Sequence, residues 1–98
     1  MAVYFMRRAD GAVKIGHSQN VKMRAKHILY HLDEDYIDII RTVPGTHLTA
    51  TWFHRHFSDL HIEGEWYHFH KDMKTLNAPE EPTLTFRSWA DWLHFQSD

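Results

Sequence analysis

The chain has 98 residues, of which 43% are apolar and 24% charged, with a formal net charge of −2 and no cysteine. That suffices for one small domain burying roughly two-thirds of its unfolded surface, and leaves no room for a second core. Disulfides and thiolate metal sites are excluded, no apolar run approaches the ~20 residues of a membrane span, and no signal-peptide pattern opens the chain; a cytoplasmic protein with no membrane contact is expected.

Val3-Tyr4-Phe5-Met6-Arg7-Arg8 is β-prone, Ala9-Asp10-Gly11 follows as a turn, and Ala12-Val13-Lys14-Ile15-Gly16 is β-prone again. Asp-Gly between two such runs signals a hairpin, because Gly accepts the positive φ the turn needs. Ser18 is placed to cap a helix starting near Gln19 or Asn20. Val21, Ala25, Ile28, Leu29 and Leu32 form one stripe of that helix, expected to lie on the sheet. Arg24 sits at the edge of the stripe, within reach of Tyr4 and Lys14 on adjacent strands. Asp33-Glu34-Asp35 opposes the helix dipole and reads as a solvated loop.

Tyr36 to Val43 is rich in β-branched residues and predicts a third strand, ended by Pro44-Gly45. Thr46 predicts the N-cap of a second helix reaching about Leu60, with Leu48, Trp52, Phe53 and Phe57 as its apolar stripe and Ala50 and His54 one turn apart. His61 to Gly64 reads as a loop, and Glu65 to Phe69 as a short edge strand or extended segment, with Trp66 in the core and Glu65 as a loop or cap partner. Lys71 to Leu76 suggests one or two helical turns, Asn77 to Pro82 a connector, and Ser88 to Phe95 a terminal helix docking Trp89, Trp92 and Leu93. The expected fold is α/β of the α+β kind: a small three-stranded, mainly antiparallel sheet flanked by helices. Residues 1–70 form the core, and 71–98 form an extension packed on it.

Charge is divided along the chain. Residues 1–31 hold six Lys and Arg against Asp10 alone, a net +5, whereas the remainder holds five basic and twelve acidic residues, a net −7. A polyanion is drawn to the hairpin and first helix, where Arg7, Arg8, His17, Lys22 and Lys26 are the candidate DNA contacts. An ordinary solvated face is the competing reading.

Ala2-Val3-Tyr4, Lys14-Ile15-Gly16, Arg24 eight residues after that Gly, and then His54, Phe57 and Gly64-Glu65-Trp66-Tyr67 form a spaced series over residues 2 to 67. The series resembles the GIY-YIG nuclease superfamily, with Ala2-Val3-Tyr4 standing for Gly-Ile-Tyr and Lys14-Ile15-Gly16 for Tyr-Ile-Gly. It is most similar to a phage and prophage branch that writes the second motif Lys-Ile-Gly. The resemblance implies a DNA endonuclease using Mg2+ or Mn2+, with Tyr4 and Lys14 handling the proton and His54 orienting substrate or water. Arg24 suits the charge clamp on chemical grounds, being planar, always protonated and able to grip two phosphate oxygens. Tyr4 alone is a poor base, with an ordinary pKa of about 10, and Lys14 is the candidate cation to lower it.

The sequence departs from that branch at one position. Where an acidic metal ligand stands four residues before His54, this chain has Ala50, and a methyl group cannot ligate a hard cation. Three readings stay open: binding without cutting, slow cutting with metal held by substrate phosphates and water, or an alanine substituted for a native glutamate. Glu65 is a candidate substitute ligand. Ten histidines, including His27 and His31 one turn apart, raise a zinc reading, but no recognised zinc spacing occurs. Two functions from different classes follow, a GIY-YIG-type endonuclease and a non-catalytic nucleic-acid-binding module on the same basic surface. The DNA is single- or double-stranded, and a homodimer would supply two nicks. A third reading makes the Trp-rich C-terminus a protein-interaction surface.

Overall fold

The computed structural model describes residues 1–32 and 36–79. Strands β1 (Ala2–Arg8) and β2 (Val13–Ser18) form the expected hairpin, with Tyr4 opposite Gly16 and Met6 opposite Lys14. Gly11 takes φ 96° at the turn, a left-handed conformation that favours glycine. Asp10 fastens the turn: its Oδ1 accepts from Arg8 Nε at 2.7 Å and from the Ala12 N–H at 3.0 Å. These two bonds, the Arg8 one foremost, hold the carboxyl below its ordinary range.

Helix α1 spans Val21–Leu32, and its cap is Asn20 rather than Ser18, because Asn20 Oδ1 accepts from the Met23 N–H at 3.1 Å. The Ser18 hydroxyl oxygen accepts from the Asn20 N–H at 3.0 Å, one step earlier, and so shapes the approach to the helix. Strand β3 (Ile37–Pro44) pairs with the other side of β1, with a register slip between Phe5 and Met6. Helix α2 (His47–His56) starts on a reciprocal cap, in which the Thr46 hydroxyl takes the Leu48 N–H at 3.1 Å and the Thr49 hydroxyl takes the Thr46 N–H at 3.2 Å. It stops four residues short of Leu60, and Ser58–Leu60 continues as a separate 3-10 turn.

The segment expected as a loop after Leu60 is a small hairpin, β4 (His61–Glu63) and β5 (Trp66–Tyr67), turning at Gly64 with φ 53°. Strand β5 pairs with β2 at Val13 and Lys14, so the sheet has five strands in the order β3-β1-β2-β5-β4, not three. All strand pairings among the described residues are antiparallel, and the fold is α+β.

Alternation along the strands gives the sheet two different faces. Val3, Phe5, Val13, Ile15 and Tyr67 face α2 and pack with Ala50, Phe53, Phe57 and Met73. Phe5 meets Phe53 edge to face at 5.0 Å. Tyr4, Met6 and Trp66 face α1 and pack with Ala25 and Ile28. Of the stripe expected on α1, Val21 and Leu32 contribute partly buried edges. On α2 the inward face is Thr49, Ala50 and Phe53, while Leu48 and Trp52 are only half-buried. No helix among the described residues is long and apolar enough to cross a membrane.

A 3-10 turn at Lys71–Lys74 occupies the stretch expected to be helical and buries Met73. Arg41 on β3 straps this stretch to the core, donating through Nη1 to the carbonyls of Met73 (3.3 Å) and Leu76 (2.5 Å) and through Nη2 to Asn77 Oδ1 (2.7 Å). Arg41→Met keeps the stem and removes all three bonds. It is expected to cost about 1–3 kcal/mol in urea unfolding, with faster amide exchange at Leu76; unchanged exchange there would show the strap to be idle. Asp33-Glu34-Asp35, the end of the connector, the terminal helix with Trp89, Trp92 and Leu93, and the proposed interaction surface on it lie outside the described residues.

Candidate active site

Gly16 explains how Tyr4 is seated. The two residues face each other across β1 and β2, and the Tyr4 ring lies over the glycine on the α1 face. A Cβ at position 16 would sit 2.6 Å from the phenol carbon Cζ, closer than real Cβ contacts allow. Glycine therefore leaves the seat in which the Tyr4 ring and hydroxyl lie over β2, with the residue only 2% exposed. Among the described residues no buried side-chain polar atom lacks a partner, and the Tyr4 hydroxyl makes no hydrogen bond, so its oxygen keeps some contact with solvent. Among the described residues no strand covers β2 beyond this point on the β5 side, because β5 pairs with β2 only as far as Lys14 and the Ile15 N–H bonds the Glu65 carbonyl at 3.0 Å.

A cleft of about 240 Å³ lies between the sheet and α1, and Tyr4 is not among the residues that line it. Lys14, Glu65 and Trp66 line one wall, and Arg24, His27 and His31 line the other. Glu65 holds the middle: its carboxylate is 3.8 Å from Lys14 Nζ and 3.9 Å from His54 Nε2. Lys14 also stands over the Trp66 ring at 5.3 Å. The Tyr4 phenol is pushed up to about 12, by burial first and by the Glu65 charge second, with Arg24 acting in the opposite direction. The cation that favours the phenolate is thus Arg24, and Lys14, expected in that role, is instead the partner of Glu65. At neutral pH Tyr4 keeps its proton, which makes it a hydrogen-bond donor rather than a base.

His54 and Ala50 belong to the opposite face. His54 Nε2 is 2.6 Å from the Ile15 carbonyl. A carbonyl only accepts, so Nε2 carries the proton, and the ring reaches Glu65 around the rim of β2. Its other neighbour is Tyr67, stacked at 5.4 Å. Ala50 is buried in the apolar cluster on α2, in a helical row between His47, whose ring is 6.1 Å from that of His17, and His54.

The expected DNA contacts divide as well. Lys22 and Lys26 are exposed on α1, and His17 is at the end of β2 beside His47. Arg8 lies over Trp66 at 4.6 Å and bonds Asp10. Arg7 is on the other face, its guanidinium 4.4 Å above the Phe69 ring, and it does not join the cleft. Sequence reading did not place His27, His31 or Glu65 in one cleft; their helical and strand positions alone carry no sign of it.

These residues do not fit a divalent cation. Among the described residues no group of three or more His, Asp or Glu side chains converges as a metal site. Glu65 is the one carboxylate among the cleft-lining residues and is held between two nitrogen groups, and position 50 offers a methyl. A hard cation needs several oxygen ligands. Comparison of the chain with protein-family models, with curated proteins and with solved structures finds no match.

Proposed function

We propose that the chain is a GIY-YIG-type DNA endonuclease domain, working in the cytoplasm, in which Ala50 has taken the place of the metal-binding glutamate. The cleft then grips a DNA phosphodiester and does not cut it by the metal-dependent route. The reading is carried by Tyr4, whose hydroxyl lies over Gly16 within the fields of Arg24 and Glu65, so that the two halves of the motif serve one purpose. Arg24 supplies the paired donors a phosphate requires, Lys14 a second positive charge, and the Tyr4 hydroxyl a neutral donor. Lys22 and Lys26 extend the positive surface along α1 towards the neighbouring phosphates. A binding module that never cut would use the same surface, and the burial of the Ala50 methyl in apolar contacts favours this second reading. The two differ in what restoring an acid at position 50 does.

Anisotropy of labelled single- and double-stranded DNA in EDTA is expected to show binding at low salt that weakens as salt rises. Arg24→Ala should reduce the slope of log affinity against log salt by about 1, as for one lost phosphate contact. Absence of binding to either DNA at low salt would sink both readings.

A further inference from the structure

We propose that the cleft between β2, Glu65 and α1 cleaves RNA without a metal ion, by transferring the phosphodiester to the neighbouring 2′-hydroxyl. The proposal rests on the reading of this cleft as a phosphodiester site and adds a substrate and a reaction to it. Metal-dependent hydrolysis must activate a water molecule and stabilise a leaving oxygen. RNA carries its own nucleophile beside the phosphorus, so that a base, an acid and a charge clamp suffice.

The cleft has all three, and has them on opposing walls. Glu65 on the sheet side is a carboxylate acceptor with Lys14 Nζ at 3.8 Å and His54 Nε2 at 3.9 Å. The Ile15 carbonyl, 2.6 Å from the same His54 nitrogen, locks that imidazole. Across the cleft, His27 and His31 are exposed and one helical turn apart on α1, and Arg24 stands one turn before His27. In-line displacement at phosphorus needs the attacking and leaving oxygens on opposite sides, so a base on one wall and an acid on the other is the required arrangement. The pocket, about 240 Å³, is lined by both cations as well.

The step balances as follows. Glu65 takes the proton of the 2′-hydroxyl, and the 2′-oxygen forms a bond to phosphorus. The bond from phosphorus to the 5′-oxygen breaks, and the departing oxygen receives a proton from a protonated imidazole of the His27 and His31 pair. The products are a 2′,3′-cyclic phosphate and a 5′-hydroxyl. Arg24 and Lys14, which line the cleft, face the charge on the two non-bridging oxygens. DNA lacks the 2′-hydroxyl, so the same cleft binds it and leaves it whole.

The test uses the full chain with a short labelled RNA, the DNA of the same sequence and a fully 2′-O-methylated RNA, all in EDTA. The RNA alone should be cut, leaving 2′,3′-cyclic phosphate ends, while the other two are bound and stay intact. Glu65→Gln, and separately the double variant His27→Asn with His31→Asn, should each slow cutting by about 10²-fold or more. Both should still bind RNA, with unchanged circular dichroism. RNA that is bound but uncut in EDTA, cutting that requires an added cation, or cutting that survives Glu65→Gln overturns the proposal while leaving the phosphodiester site standing. Failure to bind any of the three ligands removes that site and this proposal together.

Discussion

Ala50→Glu is expected to make the protein cut DNA when Mg2+ or Mn2+ is supplied, where the unaltered chain does not. Position 50 lies in the α2 row between His47 and His54, both of which contact the β2 segment that ends in Gly16-His17-Ser18. Glutamate there would supply the acidic oxygen ligand that the resemblance expects four residues before His54. It does so at a cost, because the Ala50 methyl is 2% exposed and the added atoms must pass through packed surroundings. About 1–3 kcal/mol of stability should be lost, read as a lower urea midpoint. Adding Arg24→Ala to Ala50→Glu should reduce cutting by about 10²- to 10³-fold, the scale of removing one preorganised donor from a developing negative charge. DNA binding should survive in both. If folded Ala50→Glu protein is as inert as the parent with either cation, the endonuclease reading fails and the binding module remains.

Gly16→Ala should be the most disruptive single-methyl change in the sheet. The glycine has no unusual φ to protect; what it protects is space, since the new Cβ would fall 2.6 Å from Tyr4 Cζ. Neither partner can retreat. Gly16 is held in register with Tyr4 by the β1–β2 pairing, and the ring is packed with Met6, Ala25, Ile28 and Trp66. Overpacking of this kind costs about 1–3 kcal/mol. A double-mutant cycle isolates the cause: combined with Tyr4→Ala, which removes the obstructing ring, Gly16→Ala should cost far less than it does alone. Additive losses in urea unfolding would show that the ring and the glycine do not compete for the same volume. In the Ala50→Glu background, Gly16→Ala should also reduce cutting, because Tyr4 can no longer keep its seat over β2.

The parts of the fold that were legible in the sequence are those in which one short stretch carries its own instruction. Asp10-Gly11 specifies its turn through a side-chain acceptor and a left-handed glycine, and Thr46 specifies a helix start through a reciprocal cap with Thr49. Strand alternation puts Tyr4 and Met6 on one face and Phe5 and Arg7 on the other, so Arg7 meets Phe69 and parts from Arg8, a division that grouping the two arginines as DNA contacts overlooked. The β4–β5 hairpin was not legible, since strands of three and two residues are too short to show a period. Ser18 and Asn20 compete for one cap, and only the backbone path decides between them. In the candidate site, Tyr4, Lys14 and Arg24 could be placed near one another from hairpin and helix geometry. Glu65 could not, because its two partners come from β2 and α2, far away along the chain and on different faces of the sheet. The same holds for the Tyr4 proton. Burial and the Glu65 charge raise its affinity, and neither effect can be read from the residues next to it.

No moving part is needed to admit a ligand to the rim of β2; strand length alone sets the aperture. Pairing of β5 with β2 stops at Lys14, and on that side the backbone beyond it at Gly16, His17 and Ser18 has no strand alongside among the described residues, β1 lying on the other side. Two more residues in the β4–β5 hairpin would prolong the ladder and roof over Tyr4, whereas a shorter hairpin would take Glu65 away with it. The hairpin thus acts as a shutter of fixed width, and its length offers descendants of this chain a way to admit narrower or broader strands without touching the groups beneath.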